Sequence, residues 1–388
     1  MRWDRAGACL LGAGLAACGA SSPSPAGSSS AASEPASAAL NMVLHAHVEL
    51  PALAAGASGS GRGLEALHDE KPLAVTGPAG LTAAGNWGYT TAAGRRFALT
   101  GLSVGLSVVE VTDPRSPRVV ALVPGAESQW REVKTYRHWA YVTTEARTGL
   151  DIVDLSDPDR PRKVRTWSES FDSAHTLWVD RERGLLFVNG TRFGMRVLDL
   201  EPDPENPRDV GEWRGFYVHD AYTRDDVLYA SAISDGFLAL LDVSDPERIH
   251  EITRFTTGGR FTHNSWLTRD GRYLFTTDER PGRPLEGWDL SDPLAPRKVA
   301  EYIARPGSIP HNVMVDGDRL LVAHYTDGVR LLDVRDPERP QVLGHYDTFA
   351  GTEEGFAGAW GAYVFPASDL IVVSDISGGL FVVQYTGS

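Results

Sequence analysis

Four histidines recur along the chain at nearly constant spacing: His175, His219, His263 and His311, separated by 44, 44 and 48 residues. Neutral imidazole is a good ligand for zinc, iron and copper, so four copies brought to one place would make a transition-metal site. Repeated copies also suit a plainer role, in which each ring satisfies backbone groups or ordered water at the end of a buried strand. Two carboxylates, Glu145 and Glu279, fall where they could orient an imidazole or serve as a base. Three tryptophans, Trp87, Trp130 and Trp360, take the corresponding place in other copies of the pattern, with Arg131 the alternative at the second. They would form an aromatic wall suited to a sugar, a peptide or a small ligand.

Other chemical patterns lack the context they need. Gly101-Leu102-Ser103-Val104-Gly105 has the G-x-S-x-G form of a nucleophile elbow, which requires a strand-to-helix turn. Here it falls between two strand-like runs. The Gly59-Ser60-Gly61-Arg62-Gly63 cluster has no strand before it and no helix after it, so it reads as a loop and not a phosphate cradle. His45 and His47 sit two apart in the strand-like run Asn41 to Leu50 and read as an exposed edge.

The elements that position these residues are short strands. Phe261 to Tyr302 holds four of them: His263 to Thr268, Arg272 to Thr277, Leu285 to Leu290 and Arg297 to Tyr302. Each is rich in aromatic or branched residues and is separated from the next by Gly, Pro or Asp. This unit repeats. Its mark is an Asp-Pro turn after the third strand, with prolines at Pro114, Pro158, Pro204, Pro246, Pro293 and Pro337. A period of a few tens of residues signals a repeat architecture. A seventh copy from Trp360 ends after three strands, and Asn41 to Leu50 can supply the fourth. The expectation is an all-β, seven-bladed β-propeller of four-stranded antiparallel blades, the last closed by an N-terminal strand; closure leaves only short edges. The first strand of each blade then lines a central channel. Trp87, Trp130, His175, His219, His263, His311 and Trp360 are expected to ring one mouth. Second-strand ends bring Glu145, Asn189, Asp235, Asp278, Glu279, His324 and Asp375 to the same face. Asp220, Asn264 and Asn312, each after a histidine, would support the ring or bond strand ends.

The Asp-Pro units resemble LVIVD repeats. Longer stretches, among them WREVKTY, AHTLWVD, YVHDAYT, FTHNSWLT, PHNVMV and GAW followed by VVSDISGGLFVV, resemble the bacterial choice-of-anchor B family. The resemblance covers about residues 41 to 386. It implies a propeller at the cell exterior, with varied anchors and no named activity. The chain departs from that pattern at Thr176, where the family tends to carry Asn.

Both cysteines lie within the first 18 residues. Arg2 and Arg5 precede a short apolar run that ends Leu15-Ala16-Ala17-Cys18 and looks like a bacterial lipobox. Residues 1–18 therefore read as a lipoprotein signal with Cys18 as the lipidated residue, and Gly19 after it resembles an outer-membrane address. The run is too short to span a bilayer. Residues 19–40, rich in Ser, Ala and Pro, read as a disordered tether, and residues 41–388 as the propeller. The net charge of −14 argues against nucleic acid, which needs clustered Lys and Arg.

Two functional classes fit. The favoured one is a monomeric scaffold that binds a protein, glycan or small molecule. The other is an enzyme, an oxidoreductase or hydrolase, that uses zinc, iron or copper held by the four histidines.

Overall fold

The computed structural model describes residues 39–54, 80–192, 194–351 and 355–387. Cys18, the signal-like segment and the Gly59–Gly63 cluster lie outside the described residues, as does the tether up to residue 38. Among the described residues, seven antiparallel sheets form, six of four strands and one of five. The innermost strands are Ala83–Thr90, Val133–Tyr136, Leu177–Asp180, Asp220–Arg224, Thr262–Leu267, Val313–Asp316 and Ala359–Val364, defining blades one to seven in chain order. Each touches the innermost strands on either side, and Ala359–Val364 closes on Ala83–Thr90. The ring is therefore shut, as the seven sequence copies require.

Strand β1 (Ala39–Leu40) and strand β2 (Met42–Val48) lead into this ring from its last two blades. The run expected to complete blade seven does so: β2 pairs antiparallel with Gly379–Tyr385, Met42 opposite Tyr385. The last two residues of the expected tether belong instead to the ring. Ala39 and Leu40 pair with Tyr346 and His345 as a fifth strand on blade six. A one-turn helix, Leu50–Leu53, follows β2 and buries both its leucines against blades one and seven.

The turns form for the reason their sequence suggests. In all six Asp-Pro turns the aspartate Oδ1 accepts the backbone N–H two residues on, at 3.0–3.2 Å: Asp113, Asp157, Asp203, Asp245, Asp292 and Asp336. Such a side-chain turn fixes the reversal between third and fourth strands, with proline presetting φ. The core lies between blades. For example, Tyr141 and Ile152 of blade two pack with Leu177, Leu186 and Leu198 of blade three. Fourth strands, such as Arg162–Trp167, turn mostly polar residues outward. No described helix is long and apolar enough to cross a membrane.

Candidate functional site at the channel mouth

Every ring residue is placed by how its inner strand begins. In blades one, five and seven the pairing with the second strand slips by one residue at the start. Ala83 opposes Leu102 but Asn86 opposes Thr100; Thr262 opposes Asp278 but Asn264 opposes Thr277; Ala359 opposes Asp375 but Gly361 opposes Ser374. The residue at the slip is Ala84, His263 or Trp360. In blades three, four and six the matching N–H groups are those of His175, His219 and His311, which bond the second strand at 2.8–3.0 Å. In blade two Glu132 pairs with Thr143, so Arg131 holds the position. The ring is thus Ala84, Arg131, His175, His219, His263, His311 and Trp360.

Two expected members are corrected. Trp87 lies three residues further along its strand, because the inner strand of blade one is longer at its start than the aromatic residue suggests. It belongs to a second layer, three residues past the ring in every blade: Trp87, Lys134, Trp178, Tyr222, Trp266, Met314 and Tyr363. Trp87 and Trp178 meet edge to face at 6.3 Å, and Trp178 and Trp266 at 5.2 Å. Trp130 precedes the ring position, which Arg131 takes. Trp130 still reaches the mouth, stacking on Trp360 at 4.3 Å across the blade where small Ala84 leaves room. The spacing of three between His175, His219 and His263 and the aromatic residues Trp178, Tyr222 and Trp266 was the sequence signal for this alignment.

A belt of hydrogen bonds joins the blades at this level. Six of the seven ring carbonyls accept a bond from the preceding blade. The donors are the Ser374 hydroxyl to Ala84, the Gly85 N–H to Arg131, the Thr143 hydroxyl to His175 and the Thr176 hydroxyl to His219. The Thr277 hydroxyl bonds His311, and His311 Nδ1 and Asn312 Nδ2 both bond Trp360. Thr176, where the resembled family carries Asn, thus does what Asn312 does three blades on. Asn264 ties Asp220 of blade four, at 2.6 Å, to the Val313 N–H of blade six, at 3.1 Å. These residues bond strand ends, one of the two roles expected of them. Gly101 is needed here because a Cβ would stand 2.5 Å from the Arg131 carbonyl oxygen. Ser103 of the same G-x-S-x-G run is buried between two strands and bonded to Gly80 and Thr82 of the segment leading into blade one, so it is no nucleophile elbow.

The four imidazoles form a row. Successive ring centroids are 4.5, 4.5 and 4.1 Å apart from His175 to His311, and Trp360 continues the row 4.3 Å beyond. All four are buried. Burial would lower the His175 pKa, but a 2.7 Å bond to Glu145 and the charges of Glu145, Asp220 and Glu132 together outweigh it and raise the ring above its ordinary value. Burial, reinforced by neighbouring rings, drives His219 and His263 well below that value, and burial takes His311 down to about 3. Three imidazoles of the row are therefore neutral near pH 7, the form that binds metals. Both candidate carboxylates reach the row. Glu145 bonds His175, and Glu279 lies 3.8 Å from His263 Nε2 and 3.7 Å from His311 Nε2 while accepting the Tyr325 hydroxyl. Among the described residues, one group of three places metal-ligand atoms within 4.8 Å of one another: His263, Glu279 and His311. His175 and His219 are not part of it.

The remaining second-strand ends serve the loops. Asp278 accepts the N–H groups of Gly259 and Phe261, and Asp375 those of Ser377 and Gly378. Asn189 bonds Thr176. Asp235 is exposed in a turn. His324 is buried near Tyr302 and Arg330, away from the row, and burial holds its pKa at about 3. Arg131 is fully buried, donating to the Leu102 and Ala126 carbonyls, and burial lowers its pKa to about 10. His45 and His47 bond Gln384 and the Gly378 carbonyl on the edge of blade seven.

Beneath the ring the channel narrows to a cavity of about 50 Å³ lined by Glu132, Lys134, Asp220, Asn264, Asn312 and the second-layer aromatics. That is room for roughly three or four waters. Lys134 bonds Glu132 at 3.1 Å and lies over the Trp87 ring at 4.6 Å.

The LVIVD repeat family matches residues 130–166. That stretch runs from Trp130 at the mouth through the four strands of blade two, so one repeat corresponds to one blade. No curated protein matches the chain.

Proposed function

We propose that this protein is an extracytoplasmic scaffold, held to a membrane by lipid on Cys18, whose channel mouth binds a protein, glycan or small molecule. The observation that carries the reading is the stacked Trp130–Trp360 pair beside the Glu145–His175 ion pair. The belt bonds reach Trp360 and His175 through their backbone carbonyls, and the buried Trp360 indole, which donates to Glu132, backs half-buried Trp130 and Glu145 as a mixed aromatic and charged face. A closed ring of seven sheets holds such a surface rigidly. Tyr217, 43% exposed and 6.5 Å from the His219 ring, extends it outward. The choice-of-anchor B resemblance and the lipobox-like Cys18 point to the same surface address.

The test is a glycan and peptide array probed with the mature chain, followed by the same array with Trp130→Ala. Binding to a defined class that falls at least about tenfold in the variant, with its melting temperature kept, supports the reading. Wild-type protein that retains nothing counts against it. The anchor is tested separately: Cys18→Ser is expected to release the protein from the membrane fraction.

A metal-dependent hydrolase or oxidoreductase is the second reading, favoured by Glu279 standing between two neutral imidazoles.

A further inference from the structure

Three segments of blades five and six converge on one buried point. His263 comes from the start of the inner strand of blade five, and Glu279 follows its second strand. His311 precedes the inner strand of blade six. The carboxylate oxygens lie 3.7 and 3.8 Å from the two Nε2 atoms. These separations are too long for hydrogen bonds. Two donors sharing a tetrahedral ion with bonds near 2.1 Å stand roughly 3.4 Å apart, so each carboxylate–imidazole pair closes on an ion by a few tenths of an ångström, and the widest separation in the trio, within 4.8 Å, closes by more.

The surrounding groups prepare such a site. His311 is fully buried, and its Nδ1 donates to the Trp360 carbonyl at 2.6 Å. That bond fixes the tautomer and leaves a lone pair on Nε2, which faces Glu279 with no hydrogen-bond partner. A ring held at one nitrogen by a carbonyl and bare at the other is the usual arrangement of a metal-ligating histidine. Glu279 is oriented by the hydroxyl of Tyr325, itself 1% exposed and packed on the His311 ring at 4.6 Å. The Nδ1 of His263 is likewise buried and unpartnered, so this ring is not consumed by the belt on that side.

We propose that His263, Glu279 and His311 bind one divalent transition cation, zinc or ferrous iron. Two imidazoles and one carboxylate suit both ions, and three protein donors leave a coordination position for water or a substrate atom. The site goes beyond the proposed scaffold role and does not depend on it, since it is read by metal binding alone.

The experiment uses the mature chain, stripped with chelator and titrated with cobalt(II) near neutral pH. Visible absorption and equilibrium dialysis report occupancy, and melting curves report folding of every variant. One equivalent is expected to bind and to raise the melting temperature. Tyr325→Phe, which removes a group that orients the carboxylate, should weaken binding by about 10–100-fold, and Glu279→Gln and His311→Gln by more. His175→Gln should bind as wild type does. The proposal is overturned if the wild-type chain takes up no cobalt, or if a folded Glu279→Gln variant binds undiminished. Loss of binding in folded His175→Gln would overturn the three-residue assignment.

Discussion

His311 and Asp220 line neighbouring levels of one channel, and burial acts on both by disfavouring charge. It takes the imidazole down to about 3 and lifts the carboxyl to about 6. For Asp220 the sign follows directly. The folded chain holds this proton more tightly than the unfolded one, whose carboxyl titrates at its ordinary 3.8. Stability from this group is therefore greatest below that value and falls as pH rises through about 6. Asp220→Asn should match wild type near pH 4 and exceed it by up to ~3 kcal/mol at pH 7. Denaturant unfolding across pH 4–7 measures the difference, and a flat difference would refute the shift. At this scale the sequence was a good guide to chemistry and a poor one to exact place. The histidines, Glu145 and Glu279 all reach the mouth, whereas Asp278 and Asp375 at matching strand ends bond loop N–H groups instead. Ala84 was hidden, since its residue type does not announce a ring position, and Arg131 was legible only as the alternative to Trp130. The triad was hidden too, because it depends on which way two rings turn.

Elements were legible wherever composition changes at their ends. The Asp-Pro turns announced six third-to-fourth strand reversals, and the side-chain bonds of those aspartates are the physical cause. What the residues did not mark is the one-residue slip at the start of inner strands. A slip of this kind inserts an extra residue without requiring any particular side chain. Trp87 was placed one layer too high because the inner strand of blade one starts well before its aromatic residue. The missing last strand was legible because an open edge is a liability that folded proteins cover. Deleting residues 39–49 should expose the edge of Gly379–Tyr385, whose present partner is β2. Soluble oligomers or aggregates are then expected in size-exclusion chromatography, with a melting temperature lowered by well over about 5 °C for the loss of a whole strand. A variant that stays monomeric and melts like the parent would show that closure contributes little.

At the scale of the whole ring, the described residues close on themselves through one sheet, in which Met42 lies opposite Tyr385. Seven copies of a unit that cannot bury both its faces alone made this outcome readable from the spacing of the repeats. The two leading strands do not share one blade: β1 clips two residues to blade six, while β2 pairs along its seven residues with blade seven. A tug arriving through the upstream chain therefore meets a weak catch before a strong one. Single-molecule pulling from the N-terminus should record a small release of length first and rupture of the ring only at higher force. Under modest load the clip acts as a mechanical fuse, yielding and re-forming while the channel mouth keeps its shape.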